Sequence, residues 1–169
     1  VELASFLPPG PTSVLLVLDH LEDPQNLATL LRTGEAVGIE GVIIPERRSA
    51  GITPAVVNAS AGAVEHLRIA LVTNLGRAVD ELQEAGYWAI ALEPGPQAQS
   101  LFVAPLPRPL LLMVGSEGRG LSPILVRRAD VQVMIPMFGR ITSLNAAVAG
   151  SIALYEIVRR ELVSEMSTG

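Results

Sequence analysis

The sequence predicts an α/β protein with a parallel sheet covered by helices on both faces. Three observations carry that prediction. Six short runs rich in leucine and β-branched residues recur at 14–18, 41–44, 67–72, 88–92, 110–114 and 131–135. Most intervals between them show the 3.6-residue periodicity of helices. The strands are apolar throughout instead of alternating, as strands buried on both faces must be. At 169 residues the chain fits one domain, long enough to bury roughly 70% of its unfolded surface.

Residues 1–11 contain three prolines and have the composition of a linker. A start at Val1 without methionine leads to the expectation that something precedes it. The first strand runs into Asp19-His20-Leu21-Glu22-Asp23-Pro24-Gln25-Asn26. A helix over 26–38 follows, with Leu27, Leu30, Leu31 and Val37 on one face and Gly38 at the end, where a C-terminal glycine belongs. The second strand leads into Glu46-Arg47-Arg48-Ser49-Ala50-Gly51. After the third strand, Asn74 caps a helix over 74–85, whose Leu75, Ala78, Val79 and Leu82 keep helical spacing up to Gly86. The proline-rich stretch 93–109 reads as a surface loop. The strand over 110–114 opens into Gly115-Ser116-Glu117-Gly118-Arg119-Gly120-Leu121, and Ser122 with Pro123 begins another helix. The last strand ends at Ile135-Pro136. A final helix over 144–163 places Val148, Ile152, Tyr155 and Val158 in one stripe, with a charged exposed face ending in Arg159, Arg160 and Glu161.

Composition removes whole classes of chemistry. All twelve basic residues are arginine, which excludes a P-loop lysine, a pyridoxal Schiff base and a lysine general base. Without cysteine there are no disulfides, thiolate zinc sites or cysteine nucleophiles. His20 and His66 have no neighbour at ligand spacing, so no metal centre is expected. No apolar run approaches the roughly 20 residues of a membrane span, and the absence of a signal peptide leads to an expected cytoplasmic location. The apolar fraction of 49% exceeds the need of one small core, which points to a subunit interface. A net charge of −5 argues weakly against nucleic acid, although local arginine clusters matter more than the sum.

Three constellations stand out. Asn26 with Arg32 lies at the start of the first helix, where the long arginine side chain can lean back toward the helix amino terminus; capping and a solvated face are the plain alternatives. The glycines at 115, 118 and 120 let a ligand approach the backbone, but their spacing is neither a dinucleotide fingerprint nor a hydrolase elbow. Ser143-Leu144-Asn145 follows a strand end and a turn at Gly139, where free backbone N–H groups of a helix start collect; Ser143 or Thr142 as a simple N-cap is the competing reading. The paired arginines Arg47 and Arg48 offer bidentate grips for phosphate.

Together, Asn26 with Arg32, the Gly115–Gly118 loop and Ser143-Leu144-Asn145 resemble, in order and spacing, the three motifs of the SpoU (TrmH-like) family of RNA ribose methyltransferases in the SPOUT superfamily. The intervening Arg47 to Gly51, Ser60-Ala61-Gly62-Ala63 with Glu65, and Val72-Thr73-Asn74-Leu75 resemble the branch acting on a guanosine ribose in large-subunit rRNA. The similarity runs over residues 15–160.

The resemblance implies a C-terminal trefoil knot, an exception to the rule that chains do not knot, and an obligate homodimer. It implies S-adenosylmethionine as cofactor and transfer of its methyl group to a ribose 2'-hydroxyl of RNA, rRNA before tRNA. Residues 12–169 are then the catalytic domain, with an N-terminal RNA-binding domain missing. Thr73, Gly115, Glu117, Gly118, Ile135, Met137, Ser143 and Leu144 are the expected cofactor contacts. Asn26, Arg32, Glu117, Ser143 and Asn145 are the expected catalytic set, and Arg47, Arg48, Arg119 and Arg140 the expected RNA contacts. A silent RNA-binding or assembly module and a non-methylating nucleotide-binding protein are the alternatives that cofactor affinity separates.

Overall fold

A computed structural model describes residues 1–168. Seven parallel strands form one sheet in the order β3-β2-β1-β6-β4-β7-β5. They are β1 (Val14–Asp19), β2 (Gly41–Pro45), β3 (Ile69–Val72), β4 (Trp88–Leu92), β5 (Gln99–Ser100), β6 (Leu110–Gly115) and β7 (Val131–Met134). The helices are α1 (Pro24–Ala36), α2 (Pro54–Ala59), α3 (Leu75–Glu84), α4 (Pro123–Arg128) and α5 (Ala146–Thr168). Every residue of β1, β2 and β6 is buried, which is why their sequences do not alternate.

Side chains of one strand still point to opposite faces, and two cores result. Leu16, Leu18, Val42, Ile44 and Leu112 meet Leu27, Leu30 and Leu31 of α1 and Ala153, Leu154 and Ile157 of α5. On the other face Leu15, Val17, Ile43, Leu111 and Met113 meet Ala78, Val79 and Leu82 of α3 and Leu125 of α4. α1 and α4 therefore cover opposite faces although the strands ahead of them, β1 and β6, are paired neighbours. The carboxyl ends of that pair form the topological switch point where open α/β sheets leave a crevice.

Several sequence expectations require correction. α1 is capped by Asp23, whose side chain accepts from Gln25 N–H, instead of by Asn26, which lies inside the first turn and is buried. The helix ends with Ile39 N–H bonded to Gly34 O and Gly38 at φ 74, as a glycine-terminated helix should. Asn74 does cap α3. The proline-rich loop hides β5, because Gln99 and Ser100 add to the sheet edge beside β7.

Within residues 1–11 most side chains are exposed, but one anchors the segment to the fold. Leu3–Phe6 form a 3-10 turn, Phe6 is fully buried, Tyr87 Oη donates to its carbonyl at 2.8 Å, and the Arg68 guanidinium lies 4.7 Å from its ring centroid. Burial raises the Tyr87 phenol above its ordinary value, with Glu40 adding to the effect.

α5 keeps only part of the expected apolar stripe inside, since Ile152 packs against the core and Val158 is half-buried. Its small residues Ala146, Ala147, Gly150 and Ala153 face α1 and the sheet, where a Cβ on Gly150 would crowd Leu30. Val148 and Tyr155 of the apolar stripe are instead about half exposed, as are Leu162 and Val163. Part of the charged end folds inward: Glu156 is buried and receives the exposed Arg159 and the half-buried Arg160, and Arg160 donates to Leu101 O and Ala104 O. Both stripes of this helix are apolar, and close helix approach selects the one with smaller side chains.

Candidate active site

The loop after β6 is built around close backbone approach. A Cβ on Gly115 would run into the backbone of Gly120 and Leu121, and Ser116 bridges Gly120 across the turn. Gly118 and Gly120 sit at φ 83 and 68, a region that disfavours side chains. Two carboxylates pin the exit of the loop. Glu93, just after β4, accepts from Leu121 N–H at 2.9 Å, and Asp19, at the end of β1, accepts from Ser122 N–H at 2.7 Å. Ser122 holds the N-cap position of α4 without a side-chain capping bond.

The segment before α5 is closed by Asn145, not by Ser143 or Thr142. Asn145 Oδ1 accepts from Ala147 N–H at 2.8 Å and from Val148 N–H at 3.1 Å, while its Nδ2 donates to Asn26 Oδ1 at 2.9 Å. The amide pair joins the first turn of α1 to the start of α5 across 119 positions of sequence. Asn26 is buried because its partner is there.

These elements enclose a cleft of about 480 Å³, within the ordinary size of a small-molecule site. Gly115, Glu117, Gly118, Ile135, Met137, Ser143 and Leu144 border it, together with Arg119 and Asn145. Leu92, Val114 and Met134 supply apolar walls, and the loop glycines supply backbone groups. Such a lining suits a flat heteroaromatic ring with polar appendages. A second cleft of about 280 Å³ adjoins it at the switch point, between His20, Asn26 and the Ser116-Glu117-Arg119 segment.

Thr73 does not reach either cleft. It follows edge strand β3, which β2 and β1 separate from β6, roughly 14 Å at about 4.8 Å per strand, and its hydroxyl donates to Glu46 Oε2 at 3.4 Å. Arg32 is exposed and borders neither cleft. Six residues along a helix place it about 120° around and about 9 Å beyond Asn26, too far for its lean to bring both into one cleft of this chain. Arg47 and Arg48 are exposed after β2, Arg119 is exposed between the clefts, and Arg140 is exposed before α5. Sequence reasoning missed Glu93, whose only signal is an acid directly after an apolar strand, and the pinning role of Asp19. Among the described residues no His, Cys, Asp and Glu cluster could hold a metal, and no helix is long and apolar enough to cross a membrane.

Known proteins resemble this chain in sequence and fold. A model of the SpoU rRNA Methylase family matches residues 13–155. A Staphylococcus haemolyticus protein that bears the name of a TrmH-family tRNA/rRNA methyltransferase is 44% identical over 148 residues, covering 88% of this chain and 59% of that protein. The structure of a TrmH-family protein from Porphyromonas gingivalis superposes with a TM-score of 0.81 at 34% identity, over 90% of this chain and 61% of that one. An AdoMet-bound rRNA methyltransferase from Sinorhizobium meliloti gives a TM-score of 0.87 at 29% identity, over 95% and 60% of the two chains. The chain thus spans less than two thirds of the length of these relatives.

Proposed function

The chain belongs to the SpoU rRNA methylase family and has its α/β fold with a parallel sheet, and from that premise we propose that it transfers the methyl group of S-adenosylmethionine to a ribose 2'-hydroxyl of RNA. The observation that carries the reading is the convergence of the loop after β6, the end of β7 and the segment before α5 on one cleft. The relative from Sinorhizobium meliloti binds AdoMet with the same fold.

In this reading the apolar walls at Leu92, Val114, Met134, Ile135 and Leu144 hold the adenine, and the loop glycines offer backbone groups to the ribose. Bound there, the cofactor supplies an electrophilic methyl group on a sulfonium. The chain's own work is positioning, since displacement requires the ribose oxygen in line at about 3–3.5 Å. Glu117, Ser143 and Asn145 orient polar groups between the two clefts, and Asn26 fixes Asn145. Arg32 serves as a cation and hydrogen-bond donor, because a guanidinium has no acceptor to offer a proton. It acts by stabilising the developing alkoxide and gripping the adjacent phosphate, and it does so from outside the cleft of its own chain.

That position agrees with a homodimer, in which the apolar outer face of α5, with Val148 and Tyr155, meets a second copy. The reading includes the C-terminal trefoil knot, with residues 12–169 as the catalytic unit. Arg47, Arg48, Arg119 and Arg140 contact the RNA backbone, and Thr73 has no cofactor role in it. The intervening motifs favour a guanosine ribose of large-subunit rRNA over tRNA.

The test is methyl transfer from labelled AdoMet to unmodified transcripts of large-subunit rRNA and tRNA, with all-deoxy counterparts as controls. The expected product is a 2'-O-methyl ribose in rRNA and nothing in DNA, which lacks the nucleophile. Label on a base, or AdoMet binding without any transfer to RNA, would overturn the reading.

A further inference from the structure

A ribose 2'-hydroxyl that attacks a methyl group must lose its proton, and a guanidinium that stays charged offers no acceptor for it. We propose that His20 takes this proton and that the buried carboxylate of Asp19 positions the imidazole for it. The assignment rests on the methyl-transfer reading above.

Asp19 is the last residue of β1 and is 3% exposed. One of its oxygens is tied to Ser122 N–H at 2.7 Å, and the other lies 2.5 Å from His20 Nδ1. A carboxylate at that nitrogen selects the tautomer with the proton on Nδ1 and leaves Nε2 with a lone pair. Among the described residues Nε2 has no partner, and the ring borders the smaller cleft. His20 reaches this geometry at φ 59, a strained conformation for a residue other than glycine. Such strain persists where the surroundings hold it and gathers at functional sites.

The location fits the nucleophile's side of the reaction. The cleft opens at the switch point between β1 and β6 and shares Ser116, Glu117 and Arg119 with the larger cleft beside it. One cleft then takes the methyl donor and the other the ribose. Glu117 borders both as well, but it is exposed and no described residue fixes its carboxylate. The charges around His20 are Asp19, Glu22 and Asp23 on its own loop, and Glu117 and Arg119 on the loop facing it.

The 2'-oxygen bonds to the methyl carbon, the pair of the broken sulfur–carbon bond returns to sulfur, and the hydroxyl proton passes to Nε2. The imidazolium faces the Asp19 carboxylate and returns its proton to solvent from a side chain that is 44% exposed.

The experiment uses His20→Gln and His20→Ala in the 169-residue chain, with folding checked by circular dichroism and AdoMet affinity by calorimetry. Both variants are expected to bind AdoMet as the parent does and to lose roughly 10²–10⁴-fold in kcat. The acid limb of the parent's kcat profile should be missing from the residual activity. A second readout needs no cofactor: the ¹⁵N spectrum of the parent should place the His20 proton on Nδ1, and an rRNA transcript should perturb Nε2 far more than its all-deoxy counterpart. With only two histidines in the chain, the variants assign the signal. A glutamine variant with the parent's kcat and pH profile, or an Nε2 signal that ignores RNA, overturns the proposal. A parent that binds AdoMet yet methylates no transcript removes the methyl-transfer reading, while the spectra still decide whether His20 meets the RNA.

Discussion

At the amino-terminal end of the sheet, the turns that feed β2 and β4 place Gly38 and Gly86 at positive φ, whereas the loops leaving β1 and β2 at the carboxyl end place His20 and Arg48 there. The polar groups differ in the same sense. At the amino end they are spent on structure: the Val1 amino group donates to Ile69 O, Tyr87 Oη to Phe6 O, and Arg108 to Thr12 O and Ile157 O. At the carboxyl end Glu117, Arg119 and Ser143 border clefts, and among the described residues their side chains close no hydrogen bond or ion pair. One end is built to be finished, and the other is held in a costly shape by Asp19, Glu93 and Asn145 so that a ligand can complete it.

Substitutions at the two ends should therefore separate stability from function. The largest effect on stability is expected from Phe6→Ala, which removes a fully buried ring and should cost about 3–5 kcal/mol in denaturant unfolding. The fraction that remains folded should bind AdoMet normally; weakened binding there would break the distinction. Arg32→Ala should do the reverse, lowering methyl transfer roughly 10²–10³-fold while leaving cofactor affinity and unfolding midpoint in place. Loss of AdoMet binding in that variant would contradict its assignment to the RNA side.

Gly115→Ala tests the held shape itself. Its Cβ would meet the backbone of Gly120 and Leu121, and overpacking of this kind costs about 1–3 kcal/mol, so AdoMet affinity should fall roughly 10–100-fold. An unchanged affinity would mean that the loop is looser than the geometry indicates. The smallest effect is one of pH. Hydrogen bonds from Arg159 hold the Glu156 carboxyl below its ordinary value of 4.5, against the opposing effect of burial and with further help from Arg160. A carboxyl lowered in the folded state stabilises it above the unfolded value and loses that contribution as pH falls through the folded one. Thermal unfolding should thus lose stability below about pH 4.5, and Glu156→Gln should flatten that part of the curve.

What the sequence made legible follows the physics of each element. Strands buried on both faces announce themselves as apolar runs, so the six principal strands lie where the runs are; β5, two polar residues among prolines, has no such mark. Capping of α3 was readable because Asn74 acts locally. The burial of Asn26 was not, because it depends on Asn145 at the far end of the chain. α5 misled because both of its stripes are apolar and only packing distance decides between them. Thr73 failed for a similar reason, since the order of strands in the sheet, and not the order in the chain, sets which loops meet. The segments around Gly115 and Ser143 stand out through their glycines and turn chemistry, and resemblance assigns their roles. Glu93 lies outside those segments, and its bond to Leu121 N–H is a tertiary fact.

The central claim is that the cleft between the loop after β6 and the start of α5 is a site for S-adenosylmethionine. Calorimetric titration of the folded chain with S-adenosylmethionine and its demethylated product, with NAD and ATP as controls, tests it most directly. Saturable binding of the first two at about one site per chain, and no binding of the controls, is the expected result. A folded chain that binds neither, or that prefers NAD or ATP, would contradict it.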